Sequence, residues 1–193
     1  IPPAVLGIPF PKVMRWGDRD LEYPRPLQWV LALLGSEVVP LKIDYLTAGR
    51  ITRGHRTLSD DVELSIDHAD GYLSALREAG VVVDHEERRE IIFQGHRQAL
   101  AAYNPKATLI EDEELLTEVV FLCEHPTPFL GAYGEDYVAL PPEVITTALK
   151  SHQRYFTVGK TDGEGLLPRF AAVRDGGQDH LANVVAGNER VLR

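Results

Sequence analysis

The apolar residues of this chain change period several times along its length. Val62, Leu64 and Ile66 alternate with Glu63 and Ser65, the pattern of a half-buried strand. Directly afterwards Ala69, Tyr72, Leu73, Leu76 and Ala79 fall at helical spacing, with Asp67 as N-cap, Asp70 in the first turn and Gly80 as the stop. A chain that switches between the two periods must house strands and helices around a common core. The expected class is α/β (α+β), a mixed sheet packed with helices.

The same reading extends in both directions. Residues 1–26 are rich in Pro and aromatics without a clean period and read as an irregular arm; residues 27–193 read as a single α/β module. Leu27 to Leu34, the Gly35-Ser36 turn and Val38 to Ile43 give strand–turn–strand, and another short strand falls between Arg50 and Thr57. Val81-Val82-Val83 reads as a short buried strand. Asp84 caps a second helix with Ile92, Ala99, Leu100 and Tyr103 on one face, and a third runs from Asp112 to Leu122 with Glu111 to Glu114 at its favourable end. His125-Pro126-Thr127-Pro128 breaks the chain before a short strand at Phe129-Leu130. Pro141-Pro142 opens a fourth helix with Val144, Ile145, Ala148 and Leu149 inward. Tyr155 to Val158 and Arg169 to Val173 pair across the turn Asp162-Gly163-Glu164-Gly165, and a last helix starts near Asp179.

Composition removes several function classes. One cysteine, Cys123, cannot build a disulfide framework or a multi-cysteine metal site. No apolar run approaches the ~20 residues of a membrane span, so no membrane partner is expected. The chain lacks an initial Met and ends inside a helical pattern, from which a longer parent protein is expected. Reducing, cytoplasmic surroundings are the expected location. The net charge of −9 argues against a general polyanion binder. Its distribution is uneven. Residues 1–56 carry eight Lys/Arg against five Asp/Glu, residues 57–149 five against nineteen, and residues 150–193 seven against five. Such asymmetry suits a polyanion contact on one face only, with the acidic middle turned elsewhere, or it is the solvated surface of helices.

No metal site is expected: none of the seven histidines pairs at i, i+4, and no His-Asp dipeptide occurs. No phosphate loop, dinucleotide turn or nucleophile elbow is present, so no catalytic residue is assigned. Three clusters remain. Arg50, Arg53, His55 and Arg56 place three guanidiniums and an imidazole within seven residues, with Gly54 permitting close backbone approach. Such forks suit phosphate oxygens, or they tie loops to the acidic middle. His152, Gln153, Arg154 and Tyr155 join polar hydrogen bonders to a stackable ring, the mixture that single-stranded RNA recognition uses; Phe156 beside them reads as core. Gly187-Asn188-Glu189-Arg190 is weak by itself.

Taken in order, the words Phe10-Pro11-Lys12-Val13-Met14-Arg15-Trp16-Gly17, Thr52-Arg53-Gly54-His55-Arg56, Val83-Asp84-His85-Glu86-Glu87-Arg88-Arg89, Leu140-Pro141-Pro142-Glu143-Val144-Ile145, His152-Gln153-Arg154-Tyr155-Phe156, Leu167-Pro168-Arg169-Phe170 and Gly187-Asn188-Glu189-Arg190-Val191-Leu192 carry a resemblance. The chain resembles the beta subunit of the two-chain bacterial glycyl-tRNA synthetase, within its N-terminal half. Val13 stands where a Ser is expected, and Arg174-Asp175-Gly176-Gly177 replaces a Ser-Asn type continuation.

The resemblance implies a module related to the editing-type domain of the phenylalanyl-tRNA synthetase beta subunit. It implies an α2β2 assembly in which the alpha subunit uses ATP with magnesium, so that no cofactor belongs to this segment. The implied partners are tRNA(Gly), the alpha subunit and the rest of the beta chain. The implied role is non-catalytic support of tRNA recognition and subunit architecture. The alternatives are a hydrolytic editing-type module, with His55 or His152 to activate water, and a pure scaffold. RNA-binding candidates are Arg50, Arg53, His55, Arg56, His152, Gln153, Arg154, Tyr155, Arg169 and Arg190.

Overall fold

The computed structural model describes residues 1–60, 63–163 and 165–192, so Val62 and Glu164 of the strand and turn expectations lie outside the described residues. By its own packing the chain divides into two compact units, Ile1–Ala79 and Gly80–Arg193. That division cuts through the span 27–193 that patterning joins.

The first unit is built of short pieces. Helix α1 (Pro2–Leu6) and the hairpin β1 (Met14–Arg15) with β2 (Glu22–Tyr23) give the expected irregular arm some regular structure. Three further antiparallel pairs follow: β3 (Leu33–Leu34) with β4 (Glu37–Val38), β5 (Lys42–Ile43) with β6 (Leu46–Thr47), and β7 (Ile51–Thr52) with β8 (Leu64–Ser65). The β3–β4 turn needs a left-handed residue and has Gly35 there at φ 61°. Lys42–Ile43 thus pairs with the following strand and not with Leu33–Leu34. Helix α2 (Tyr72–Glu78) is preceded by a single tight turn at Ala69–Gly71. The cap of that turn is His68, whose Nδ1 accepts from the Asp70 amide at 3.2 Å, one residue past the expected Asp67. Ile43, Ile66, Leu76 and Ala79 are buried here with Thr52 and His55.

The second unit is a four-stranded sheet with helices on both faces. Its strands are β9 (Ala107–Leu109), β10 (Pro126–Ala132), β11 (Phe156–Lys160) and β12 (Leu166–Asp175), in the order β10-β12-β11-β9. Every ladder is antiparallel, so neighbouring strands alternate in direction, and the sheet packed with helices is the expected α/β (α+β) class. Helix α3 (His85–Tyr103) starts where expected, because the Asp84 carboxylate accepts the Glu86 amide at 2.9 Å. Helix α4 (Glu113–Leu122) is capped by Asp112, which accepts the Leu115 amide. Ile92, Leu100, Leu115, Val120, Phe156 and Val158 form the core between these helices and the sheet. On the opposite face Phe129, Ile145, Leu149, Tyr155, Phe170 and Ala172 pack with α5 (Pro142–Ala148) and α6 (Leu181–Val191). Alternation along β12 sends Ala171 to the first cluster and Phe170 and Ala172 to the second.

Several details depart from the patterning. Residues 81–83 join no ladder; the Val82 amide donates to the Glu124 carbonyl, and Arg88 takes the Val82 and Val83 carbonyls at 2.6 and 2.9 Å. Val144, expected inward, is exposed, and so is Tyr103 at the end of α3. Pro126 and Pro128 lie inside β10 instead of breaking the chain before it. They are tolerated because β10 is an edge strand with a single neighbour, so no second ladder needs their missing N–H groups. At the end of the same strand the Ala132 amide donates to Glu189 of α6 at 2.8 Å.

Candidate functional site

The basic cluster of the first unit divides into two kinds of arginine. Arg50 follows the β5–β6 hairpin, where the chain turns back beside residues 36 and 66. Its guanidinium donates to the carbonyls of Ser36 at 3.0 Å and of Ile66 and Asp67 at 3.2 Å. It is a clasp on three backbone oxygens. Arg53 and Arg56, just beyond β7, are exposed. The Arg53 guanidinium lies 5.2 Å from the centre of the Trp29 ring. Arg56 has no side-chain partner among the described residues.

His55 lies between these arginines but turns inward, at 4 % exposure. Its amide donates to the Ala79 carbonyl at 2.8 Å, and its Nδ1 accepts the Thr57 amide at 3.2 Å. Gly54 makes this turn possible. A Cβ there would sit 2.7 Å from the Cβ atoms of Ala79 and Ser59. The close approach expected of Gly54 is thus made by the chain itself, against the end of α2.

The second cluster lies in the other unit and is largely engaged. Residues 149–153 form a widened final helical turn, and Arg154 leaves it in a left-handed conformation at φ 57°. Its Nε donates to Glu118 at 2.9 Å and its Nη1 to the Ser151 carbonyl at 2.8 Å. Tyr155 is buried. Its ring stacks on Phe170 at 4.3 Å, and its hydroxyl donates to Asn188 Oδ1. The ring that sequence reading offered for stacking is already stacked, within the core. Gln153 is half-buried and His152 exposed. Arg169 is half-buried over the Tyr103 ring at 4.7 Å, and Arg190 is exposed in the last turn of α6. The words around Tyr155 and Asn188-Glu189 serve docking: Asn188 holds the Tyr155 hydroxyl, and Glu189 holds the Ala132 amide.

Acidic residues account for much of this pairing. Arg89 meets Glu113 at 2.7 Å, and Lys150 meets Asp112 and Glu114, each at 2.9 Å. Burial alone would raise the Asp112 carboxyl, but the Leu115 amide and the Lys150 ammonium hold it below the usual range. Burial pushes the Cys123 thiol up to about 11, with Asp175 adding to the shift, so it stays protonated and inert. The Tyr133 hydroxyl is raised to about 12 by burial.

Sequence reading missed two exposed aromatics of the first unit, Trp29 and Tyr45. Arg53 lies over the first; Arg19 lies over the second at 3.4 Å from the ring centre. Arg19 and Tyr45 are far apart in the chain, so no window of sequence joins them. Among the described residues no group of three His, Cys, Asp or Glu could hold a metal ion, and no helix is long and apolar enough to cross a membrane.

Residues 1–193 match the family described as glycyl-tRNA synthetase beta subunit. The chain is 44 % identical over 188 residues to the glycine–tRNA ligase beta subunit of Lactobacillus gasseri, covering 97 % of this chain and 26 % of that one. It is 45 % identical over 189 residues to that of Ligilactobacillus salivarius, with 98 % and 27 % covered. With Desulforamulus reducens the identity is 42 % over 192 residues, covering 100 % and 27 %. These relatives are subunits of an aminoacyl-tRNA ligase. The chain belongs to the glycyl-tRNA synthetase beta subunit family. It spans about a quarter of the length of these relatives.

Proposed function

We propose that this chain is a non-catalytic module of a glycine–tRNA ligase beta subunit, supporting tRNA recognition and the architecture of the assembled enzyme. On this reading it acts in the cytoplasm with tRNA(Gly), with an alpha subunit that uses ATP and magnesium, and with the remainder of a longer beta chain. The observation that carries the reading is the exposure of Arg53 and Arg56 without a carboxylate partner among the described residues, while Arg50 and Arg154 are committed to the chain's own oxygens. Unpaired surface guanidiniums are available to phosphate oxygens. A binding role is favoured over hydrolysis because His55, one of the two imidazoles that could activate water, is buried with Nδ1 taking the Thr57 amide.

The test is tRNA binding by the full-length enzyme across a salt series. Arg53→Ala with Arg56→Ala should weaken binding and flatten the salt slope by roughly 0.7–0.9 for each phosphate no longer neutralised, with the melting temperature unchanged. Native affinity and slope in a folded double variant would remove these arginines from the RNA interface.

A further inference from the structure

Two exposed aromatic rings of the first unit each carry a guanidinium on one face, Trp29 with Arg53 and Tyr45 with Arg19. Trp29 is 42 % and Tyr45 37 % exposed. The rings are mounted on adjoining strips of backbone. Residues 27–32 run beside residues 45–49, joined by the parallel bridge between Leu31 and Gly49 and by the Gly49 amide, which donates to the Val30 carbonyl at 2.9 Å. The Tyr45 hydroxyl donates to the Leu27 carbonyl, which fixes that ring two residues from Trp29 along the strip.

Flat rings backed by guanidiniums offer surface on which a nucleobase can stack, and they accept any base because every base has a π-face. A duplex has its base faces already stacked, so such a surface selects unpaired nucleotides. The flanking charges differ at the two ends. Beside Tyr45 lie Asp44 and, flanking Arg19, Asp18 and Asp20; Asp20 meets Arg15 at 3.6 Å. Beside Trp29 the exposed Arg53 is followed by Arg56. Phosphate binding therefore belongs to the Trp29 end, and the Tyr45 end contributes stacking.

We propose that Trp29 with Arg53 and Tyr45 with Arg19 form a stacking platform for unpaired nucleotides of an RNA strand. The platform rests on the RNA-binding reading given above and adds the bases to the phosphates. The experiment uses the full-length protein with three probes: a labelled single-stranded RNA of about ten nucleotides, the same sequence as a blunt duplex, and tRNA. Trp29→Ala and Tyr45→Ala should each weaken single-strand binding roughly 5- to 150-fold. Duplex binding and the salt slope should not change, because no charge is removed. Trp29→Phe, which keeps a ring, should retain most of the affinity. In the unsubstituted protein, ultraviolet crosslinks from a uridine-containing strand should map to Trp29 or Tyr45, a readout independent of whether any variant folds.

Unchanged single-strand affinity together with crosslinks elsewhere would overturn the platform. Loss of subunit assembly with unchanged single-strand affinity would assign the two pairs to a protein interface and overturn it as well. If the Arg53→Ala, Arg56→Ala variant flattens the tRNA salt slope while the ring variants and crosslinks are silent, the platform fails alone. If the arginine and ring variants and the crosslinks are all silent, the underlying reading fails with it.

Discussion

His96 makes the second unit sensitive to acid in a way that can be worked through. It lies in the middle of α3 at 1 % exposure, edge-on to Phe156, with Nε2 donating to the Ala172 carbonyl of the central strand at 3.0 Å. Its Nδ1 has no hydrogen-bond partner among the described residues. Burial lowers its pKa from 6.5 to about 4, against the opposing pull of the Ala172 hydrogen bond. The folded chain therefore keeps the ring neutral, while the unfolded chain protonates it near 6.5. As pH falls from 6.5 toward 4, the unfolded state binds a proton that the folded state does not. The stability is fully present above 6.5 and is lost progressively through that window.

At about 1.36 kcal/mol per pKa unit the whole loss is about 3 kcal/mol, of which about 2.5 kcal/mol has gone near pH 4.5. His96→Gln keeps an amide donor for the Ala172 carbonyl and cannot titrate. Urea unfolding of both forms, at a series of pH values and with equal m, should show a steep acid limb in the native chain and a shallower one in the variant. Parallel pH curves would refute the reasoning, because they would mean that His96 carries the same charge folded and unfolded.

Two further outcomes follow from the packing. A Cβ at Gly131 would fall 2.6 Å from Cε1 and 2.9 Å from Cε2 of Phe170, whose ring is 0 % exposed, so Gly131→Ala should cost about 1–3 kcal/mol in thermal unfolding. Combined with Phe170→Leu the destabilisation should be smaller than the sum of the two single effects, and strict additivity would argue against the clash. Cys123, held protonated by burial, should react with a thiol reagent at about pH 8 only once denaturant opens the fold; fast labelling of the native chain would contradict that burial.

Where a side chain acts on its own neighbourhood, the sequence was readable. Asp84 and Asp112 cap the helices they precede, and Pro142 starts α5, because a cap or a fixed φ depends on two or three residues. Strand β10 was only half visible. Its prolines argue against a strand unless it is known to be an edge, and edge position is a property of the whole sheet. The arginines show the same divide. Arg50 and Arg53 are alike by sequence, yet one clasps three carbonyls brought from residues 36, 66 and 67 and the other stays on the surface. Tyr155 reads as available for stacking and Trp29 as one residue of an apolar stretch; long-range packing against Phe170 buries the first, and the second stays exposed.

Edge strand β10 has a consequence for how the molecule behaves in company. An open sheet can add a strand from another molecule wherever an edge offers free donors and acceptors. The period of two sets Pro126, Pro128 and Leu130 on the same outward side as Ala132. Two of those four positions have no N–H, and the Ala132 N–H is already given to Glu189. The opposite edge, β9, is only three residues long. A second chain approaching either side finds too few donors to extend a ladder. The prolines that conceal β10 from pattern reading thus leave that edge too few free donors to template a further strand.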